Sequence, residues 1–490
     1  MPVPHRPRKL LAAALPALIV VALAACNNAQ YPNSVFHNHT EFNRDVGHLF
    51  DILIWLGTAV FVFVEGILLY TIVRFRRKSE SDRPEHVHGN TTLEILWTAI
   101  PAVILAFIAV PTVRTIFKTQ AVASADALQV QVIGHQWWWE FRYPQYTTAG
   151  NAGKVDTLTT ANELYLPVGR KVNFALTTQD VLHSFWIPQM GGKRDLITNH
   201  VNHLWFTPDS SGEGAWNGFC AEYCGTSHGN MHFKVFTVSK ANFDSWAAHQ
   251  LTPAAFGAVA MTPAAPATGT AAVAVPGATT SPDSLKPVQN ASEAREPGKQ
   301  QQIAVAPTGT HAGAVAALSA AQAPGNASAQ LPGSSTAVAA AMPVVQAGFI
   351  AFPHDKIPAH AIPQTPIPEG IAFNNALSGD AERGRAFLTA GQGTCLACHF
   401  IRGNPMMVGQ VGPNLTHVGS RTTIAGGIYP NDTKHLSLWI KNARHMKPGV
   451  IMPTLGAGET DPVTKAKVPA TGGLTDQQIA DIVAYLQALK

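Results

Sequence analysis

The loop Cys220-Ala-Glu222-Tyr-Cys224-Gly-Thr-Ser-His228-Gly-Asn-Met231 places two thiols, an imidazole and a thioether in one short stretch. A second histidine stands upstream in His183-Ser-Phe-Trp186-Ile-Pro188. Soft thiolate and thioether donors beside imidazole select copper over calcium or magnesium. One Cys with two His and a Met would suit a single blue copper. Two Cys four apart in one loop allow both sulfurs to bridge two copper ions, which would then share one electron with little change of geometry. Two other readings fit the same residues. One is a Cys220–Cys224 disulfide, and the other is a zinc site, for which Met231 is a poor ligand.

A second chemistry stands near the C-terminus. Cys395-Leu-Ala-Cys398-His399 is the attachment pattern of a c-type haem, with two thioether links and His399 as proximal ligand. Gly412-Pro413-Asn414-Leu415 can offer a carbonyl to the imidazole N–H and so fix the ring. Lys447-Pro448-Gly449-Val-Ile-Met452-Pro453 offers a thioether on a rigid loop, and Met/His ligation raises the haem potential. Met446 and Met406 compete for that axial place, with the Met-Pro context favouring Met452. Lys441, Arg444 and Lys447 read either as a docking face or as a solvated surface. The fifth and last cysteine, Cys26, ends Leu23-Ala24-Ala25-Cys26, so none is left for a disulfide framework.

The elements that must position these groups differ along the chain. From Leu128 to about Val238 the sequence alternates, as in Leu128-Gln-Val130-Gln-Val132 and Val172-Asn-Phe174-Ala-Leu176, which predicts a small β sandwich or barrel. From about Ser378 the pattern is helical, ending in a helix capped by Thr475 with Ile479, Ile482, Val483 and Leu486 on one face. Between them, 252–345 is mostly Ala, Pro, Gly, Ser, Thr and Val and cannot build a core, so it reads as a disordered linker. As a flexible coil it would reach about 50–60 Å. Residues 346–375 stay Pro-rich but regain Phe349, Ile350 and Phe352, which suits packing on a neighbour.

The N-terminal part points to a membrane. Arg6, Arg8 and Lys9 precede an apolar run to Ala25, as in a secretory signal, and the small residues before Cys26 suit lipoprotein cleavage with Cys26 as a lipid anchor. Leu49–Val73 and Leu93–Phe117 are each long enough to span a bilayer. Arg74, Arg76, Arg77, Lys78 and Arg83 lie between them and keep that loop cytoplasmic, which places everything after Phe117 outside. The net charge of +4 is small for 490 residues and gives no case for a nucleic-acid partner.

The copper loop, with His183-Ser-Phe-Trp-Ile-Pro-Gln-Met-Gly-Gly-Lys upstream, resembles the dinuclear CuA site of cytochrome c oxidase subunit II. Gly134-His-Gln-Trp137-Trp-Trp-Glu140 resembles that family's aromatic stretch, and the likeness covers roughly residues 40–245. It implies a cupredoxin-like domain in which Cys220 and Cys224 bridge the coppers and His183 and His228 are terminal ligands. Met231 and the backbone carbonyl of Glu222 would complete the pair. It also implies that the Glu222 side chain meets a magnesium ion at the interface with subunit I. Trp137 aligns with the family's tryptophan for electron uptake, against a plain role in core packing. Glu94, in Glu94-Ile-Leu-Trp97, aligns with a carboxylate at a proton-channel entrance, against a plain interfacial role. Residues 376–490 resemble class I cytochrome c, with Gly384 and Phe387 facing Tyr485 and Leu486.

The expected architecture is therefore multidomain. It comprises a lipoprotein-type signal (1–25), a transmembrane α-helical hairpin (40–118), a cupredoxin-like β sandwich or barrel (119–250), an Ala/Pro-rich disordered linker (251–375) and an all-α cytochrome c (376–490). The fusion resembles subunit II of a caa-type oxidase in a bacterial inner membrane, with both redox domains on the periplasmic side. The resemblance implies that an external donor reduces the haem, that electrons pass to CuA, and that subunit I reduces oxygen and pumps protons, with subunit III as a further partner. A subunit of a CuA-type nitric oxide reductase is the nearest alternative enzyme. A copper-delivery lipoprotein is the alternative of another class, which the haem motif and the two membrane helices count against. A quinol oxidase subunit is disfavoured because the copper ligands are all present.

Overall fold

The computed structural model describes residues 33–77, 79, 88–149, 155–210, 213–254 and 348–490. The signal segment, Cys26 and the Ala/Pro-rich 255–347 lie outside the described residues.

Two long apolar helices come first. Helix α1 spans Glu41–Arg74, and the Thr40 hydroxyl caps it by accepting from the Asn43 N–H. Helix α2 spans Thr91–Gln120 and is capped by the Asn90 side chain. Phe61, Phe63, Phe107 and Phe117 stand exposed along them, which is costly in water and favourable in hydrocarbon. Lys118 of α2 pairs with Asp45 of α1 at 2.6 Å, so the helices form an antiparallel hairpin. At the start of α1, Phe42 enters the core of the next domain and Glu41 accepts from the Thr207 N–H and hydroxyl at 2.8 and 2.7 Å. The β domain therefore sits at the end of the hairpin away from the basic loop of Arg74, Arg76 and Arg77.

The alternating region forms two five-stranded sheets. Strands β1 (Leu128–His135), β2 (Trp138–Ala149), β3 (Val155–Ala161), β5 (Val172–Thr178) and β8 (Asn202–Phe206) make the first, in the order β3-β2-β1-β5-β8. Strands β4 (Glu163–Pro167), β6 (His183–Trp186), β7 (Arg194–Leu196), β9 (Gly214–Cys220) and β10 (His232–Val238) make the second, in the order β4-β10-β9-β6-β7. The β1–β5 and β4–β10 pairs are parallel and the rest antiparallel. The inward faces meet in an aromatic core, where Phe185 stacks on Phe233 with centroids 5.0 Å apart and Trp139 lies 5.3 Å from Phe233. This is the β sandwich expected from the alternation, with the cupredoxin-like form that the resemblance implies. Helix α3 (Lys240–Gln250) closes one side, with Trp246 stacked on Tyr165. Residues 348–375 return to the same domain. Phe352 stacks on Phe236 at 5.0 Å and its N–H donates to the Tyr165 hydroxyl at 3.0 Å, so this Pro-rich stretch packs through its regained aromatics.

The C-terminal domain is helical, with α4 (Ala381–Thr389), a short α5 (Cys395–Cys398), α6 (Thr433–Lys441), α7 (Ala443–Met446) and α8 (Asp476–Ala488). Helices α4 and α8 cross in backbone contact. A Cβ on Gly384 would lie 2.1 Å from the Asp481 carbonyl oxygen, so only glycine allows the approach. Arg383 reinforces it by donating to the Asp481 carboxylate at 2.8 and 2.9 Å. The obstacle is backbone, which no rotamer change relieves. Gly384→Ala should therefore destabilise this domain by about 1–3 kcal/mol, measured as a fall in the melting temperature followed at the haem band.

The helical domain is seated on the sandwich through polar contacts. Arg402 pairs with Asp156 at 2.6 Å. The buried Glu163 carboxylate accepts from the Thr422 N–H and hydroxyl, both at 2.6 Å. Burial pushes the Glu163 carboxyl above its ordinary range, while the Thr422 bonds favour the charged form.

Candidate metal centre and haem cleft

The copper-type loop runs from the end of β9 to the start of β10, and the strand pair brings His183 of β6 beside it: Phe185 pairs with Cys220. Cys220 Sγ lies 3.8 Å from His183 Nδ1, 3.7 Å from Cys224 Sγ and 3.2 Å from the Glu222 carbonyl oxygen. Cys224 Sγ lies 3.6 Å from His228 Nδ1 and 3.8 Å from Met231 Sδ. All six groups singled out from the sequence thus converge. The sulfurs stand well beyond the ~2.05 Å of a disulfide, and both cysteines are free thiols.

The electrostatics favour a soft cation. The hydrogen bond from Cys224 holds the Cys220 thiol well below its ordinary range. The same contact, with burial, pushes Cys224 up. The pair loses its first proton easily, and a cation must compensate the charge for the second to leave. Thiolate, imidazole and thioether together fit copper.

Asp180 is a functional residue that the sequence reading missed. Its carboxylate lies 2.8 Å from His183 Nε2 and accepts from the Gln136 N–H at 2.7 Å. Burial opposes charge on His183, but the bonds with Asp180 and Cys220 outweigh it and raise its pKa. A proton on Nε2 toward Asp180 leaves the Nδ1 lone pair aimed at Cys220. Its only sequence signal is a carboxylate three residues before a ligand histidine. Asp180→Ala should weaken copper retention roughly 10–100-fold, measured by chelator competition.

The C-terminal domain holds an apolar cleft that Cys395, Cys398, His399 and Met452 all line. Leu388, Leu415, Leu436, Trp439 and Leu486 supply its walls, a lining that fits a porphyrin. His399 Nδ1 donates to the Pro413 carbonyl at 2.8 Å, as anticipated from the Gly-Pro-Asn-Leu segment, and burial lowers the His399 pKa, keeping the imidazole neutral for iron. Met406 is exposed, and the buried Met446 uses its carbonyl to accept from Tyr429. Of the three methionines weighed from the sequence, Met452 is the one in the cleft. Met407, which the sequence reading did not single out, also lines it.

Gln136, Trp137 and Trp138 of the sandwich complete the cleft wall. Trp137 is buried, and its Nε1–H donates to the Cys224 carbonyl at 3.0 Å. Its ring also abuts Gly449, where an added Cβ would lie 2.7 Å from the ring carbons. One residue therefore touches the thiolate loop and the loop that carries Met452. The basic residues near that loop are not a solvated patch. Lys441 pairs with Asp476 at 3.0 Å and Arg444 with Asp461 at 2.8 Å. Lys447 is buried, and burial brings its ammonium down to about 7.

The remaining expected residues lie apart. Glu222 has an exposed side chain. Glu94 is exposed in the first turn of α2, at the end of the hairpin away from the sandwich.

Known proteins resemble this chain in all three parts. Family models match for the cytochrome c oxidase subunit II periplasmic domain at residues 128–238, for its transmembrane domain at 38–115, and for cytochrome c at 381–490. Cytochrome c oxidase subunit 2 of Alkalihalophilus pseudofirmus is 39% identical over 193 residues, which cover 38% of this chain and 53% of the relative. A probable cytochrome c oxidase subunit 2 of Rickettsia bellii is 34% identical over 218 residues, covering 42% of this chain and 80% of the relative. Cytochrome c oxidase subunit 2 of Arabidopsis thaliana is 32% identical over 210 residues, covering 40% and 80%. The chain thus spans about half the length of the first relative and four-fifths of the other two.

Proposed function

The chain belongs to the cytochrome c oxidase subunit II family, and from that premise we propose that it is the electron-input subunit of a terminal oxidase. Electrons from an external donor enter through the C-terminal domain and leave through the sandwich toward subunit I, where oxygen reduction and proton pumping take place. A dinuclear CuA held by His183, Cys220, Cys224, His228, Met231 and the Glu222 carbonyl would take up and release single electrons, as would a haem c on Cys395, Cys398, His399 and Met452.

The observation that carries this reading is Trp137, which lines the cleft of one domain and donates to the Cys224 carbonyl of the other at 3.0 Å. Each residue has a defined task. Asp180 and Pro413 orient the ligand histidines. Apolar walls exclude water and limit solvent rearrangement when charge changes. The exposed Glu222 carboxylate would meet a magnesium ion against subunit I, and the exposed Glu94 would face a proton channel in that partner. Subunit III completes the complex, and an inner-membrane site with a lipid anchor at Cys26 fits the hairpin's orientation. The domain limits follow the same reading, with membrane hairpin 40–118, copper domain 119–250 and cytochrome 376–490, except that the last part of the expected linker 251–375, residues 348–375, packs on the copper domain.

Stopped-flow reduction of the intact, fully loaded chain tests the proposal. The haem band should change first, at a rate set by donor concentration. The near-infrared copper band should follow in a first-order phase independent of donor, with copper retained. Direct bimolecular reduction of copper ahead of the haem, or loss of copper on reduction, would overturn it.

A further inference from the structure

Lys447 is a buried amine with an unusual pair of partners. Its Nζ donates to the backbone carbonyl of Trp137 at 2.7 Å and to that of Ala425 at 2.9 Å. The first acceptor belongs to the sandwich and the second to the C-terminal domain. Even a neutral amine has two N–H groups, enough for both carbonyls, so the contact does not depend on its charge. The surroundings are shaped around it. Ala425, Gly426 and Gly427 all have positive φ, of 57°, 77° and 77°. That turn brings Gly426 so close that a Cβ there would lie 2.6 Å from Lys447 Nζ and 3.0 Å from the Trp137 carbonyl. The Gly426 carbonyl accepts from the His232 N–H across the interface at 2.9 Å, and Ser227 donates its hydroxyl to the Pro448 carbonyl.

A buried polar head is a poor way to gain stability, because an apolar side chain of similar volume packs at less cost. What the amine adds is direction. It holds the Trp137 carbonyl, the Trp137 Nε1–H is held by Cys224, and the ring edge rests on Gly449. We propose that Lys447 is a positioning residue for electron transfer between the two domains, acting by fixing Trp137 between the thiolate loop and the Met452 loop. This rests on the electron-input reading above. The Glu163–Thr422 and Arg402–Asp156 contacts hold the domains together independently, so Lys447 sets the placement of one residue within an interface that others maintain.

The test uses the intact chain with both centres loaded. Lys447→Met keeps the apolar stem and removes both donors. Gly426→Ala keeps the amine but places a methyl group against it. In both variants the first-order transfer between centres should slow by at least about tenfold, as expected for a small misplacement of a group that must be held in register. The copper–haem distance from pulsed electron paramagnetic resonance should match wild type in both variants, and the midpoint potentials should match in Gly426→Ala, which keeps the amine. Lys447 lines the haem cleft, so the rate in Lys447→Met is compared after correction for its measured driving force. A smaller slowing in Lys447→Met overturns the proposal. So does a slowing accompanied by a longer distance in either variant, or by a shifted potential in Gly426→Ala, because Lys447 would then be a structural tie only. If Lys447→Met does not load haem, Gly426→Ala decides by the same criteria. Wild-type protein with no transfer between its loaded centres would instead remove the electron-input reading.

Discussion

Cys220→Ser is expected to abolish the mixed-valence copper signal while leaving the c-type haem absorbance at wild-type strength. Cys220 Sγ lies within 3.8 Å of His183 Nδ1, Cys224 Sγ and the Glu222 carbonyl, so with Cys224 it is one of the two donors at the centre of the cluster. A serine hydroxyl is a harder donor with a far higher pKa, and it cannot share charge between two soft ions as a thiolate does. One copper could still bind through Cys224, His228 and Met231, giving a localised signal in place of the shared one. The haem cleft is built mainly from another domain, and its contacts with the sandwich, through Trp137, Glu163, Asp156, Ser227 and His232 among others, include no hydrogen bond to Cys220 Sγ. Electron paramagnetic resonance at the copper and the haem band in the same sample measure both halves. Persistence of the mixed-valence signal would falsify the dinuclear assignment. Loss of both signals together would show that the cysteine holds the fold and not only the metal.

The residues of the candidate metal centre were legible because five of the six converging groups sit in one contiguous loop, where spacing alone encodes convergence. His183 was legible as a candidate only when taken together with the downstream loop and by its resemblance-bearing neighbours, since the β6–β9 pairing that delivers it is a tertiary contact. Asp180 escaped because a lone aspartate before a strand has no pattern of its own. The alternation in Leu128–Val132 and Val172–Leu176 announced the sandwich, but it could not show that residues 348–375 would pack on the same domain through Phe352. The basic stretch Lys441–Lys447 shows the limit most clearly. Local sequence suggests surface, yet Lys447 is buried because its partner, Trp137, is 310 positions away. Burial of a long amphipathic side chain depends on what docks over it, and neither propensity nor periodicity reports that. The same holds for the adjacent pair Met406 and Met407, of which one is exposed and the other lines the cleft.

Met452→Ala is expected to lower the haem potential on the order of 0.1–0.2 V, a fraction of the ~0.8 V over which axial ligands tune haem, and to open the iron to carbon monoxide. A thioether sulfur stabilises reduced iron over oxidised iron, so its loss favours the oxidised state. Water or an incoming ligand can then take the vacated place. The fall should slow electron uptake from a donor of fixed potential while increasing the drive from haem to copper. The two steps of the stopped-flow trace should therefore move in opposite directions, which separates a ligand role from general damage to the domain. The cleft makes the control specific. Met407 lines the same cavity and is fully buried, so Met407→Ala removes packing without removing the proposed ligand. It should lower thermal stability by about 2–5 kcal/mol and leave the potential near that of wild type. Met446→Ala should do the same, since the tie between its carbonyl and Tyr429 is a backbone contact. If Met407→Ala or Met446→Ala instead lowers the potential and admits carbon monoxide, the axial place belongs to that residue, and the Met-Pro loop serves only to present Gly449 to Trp137.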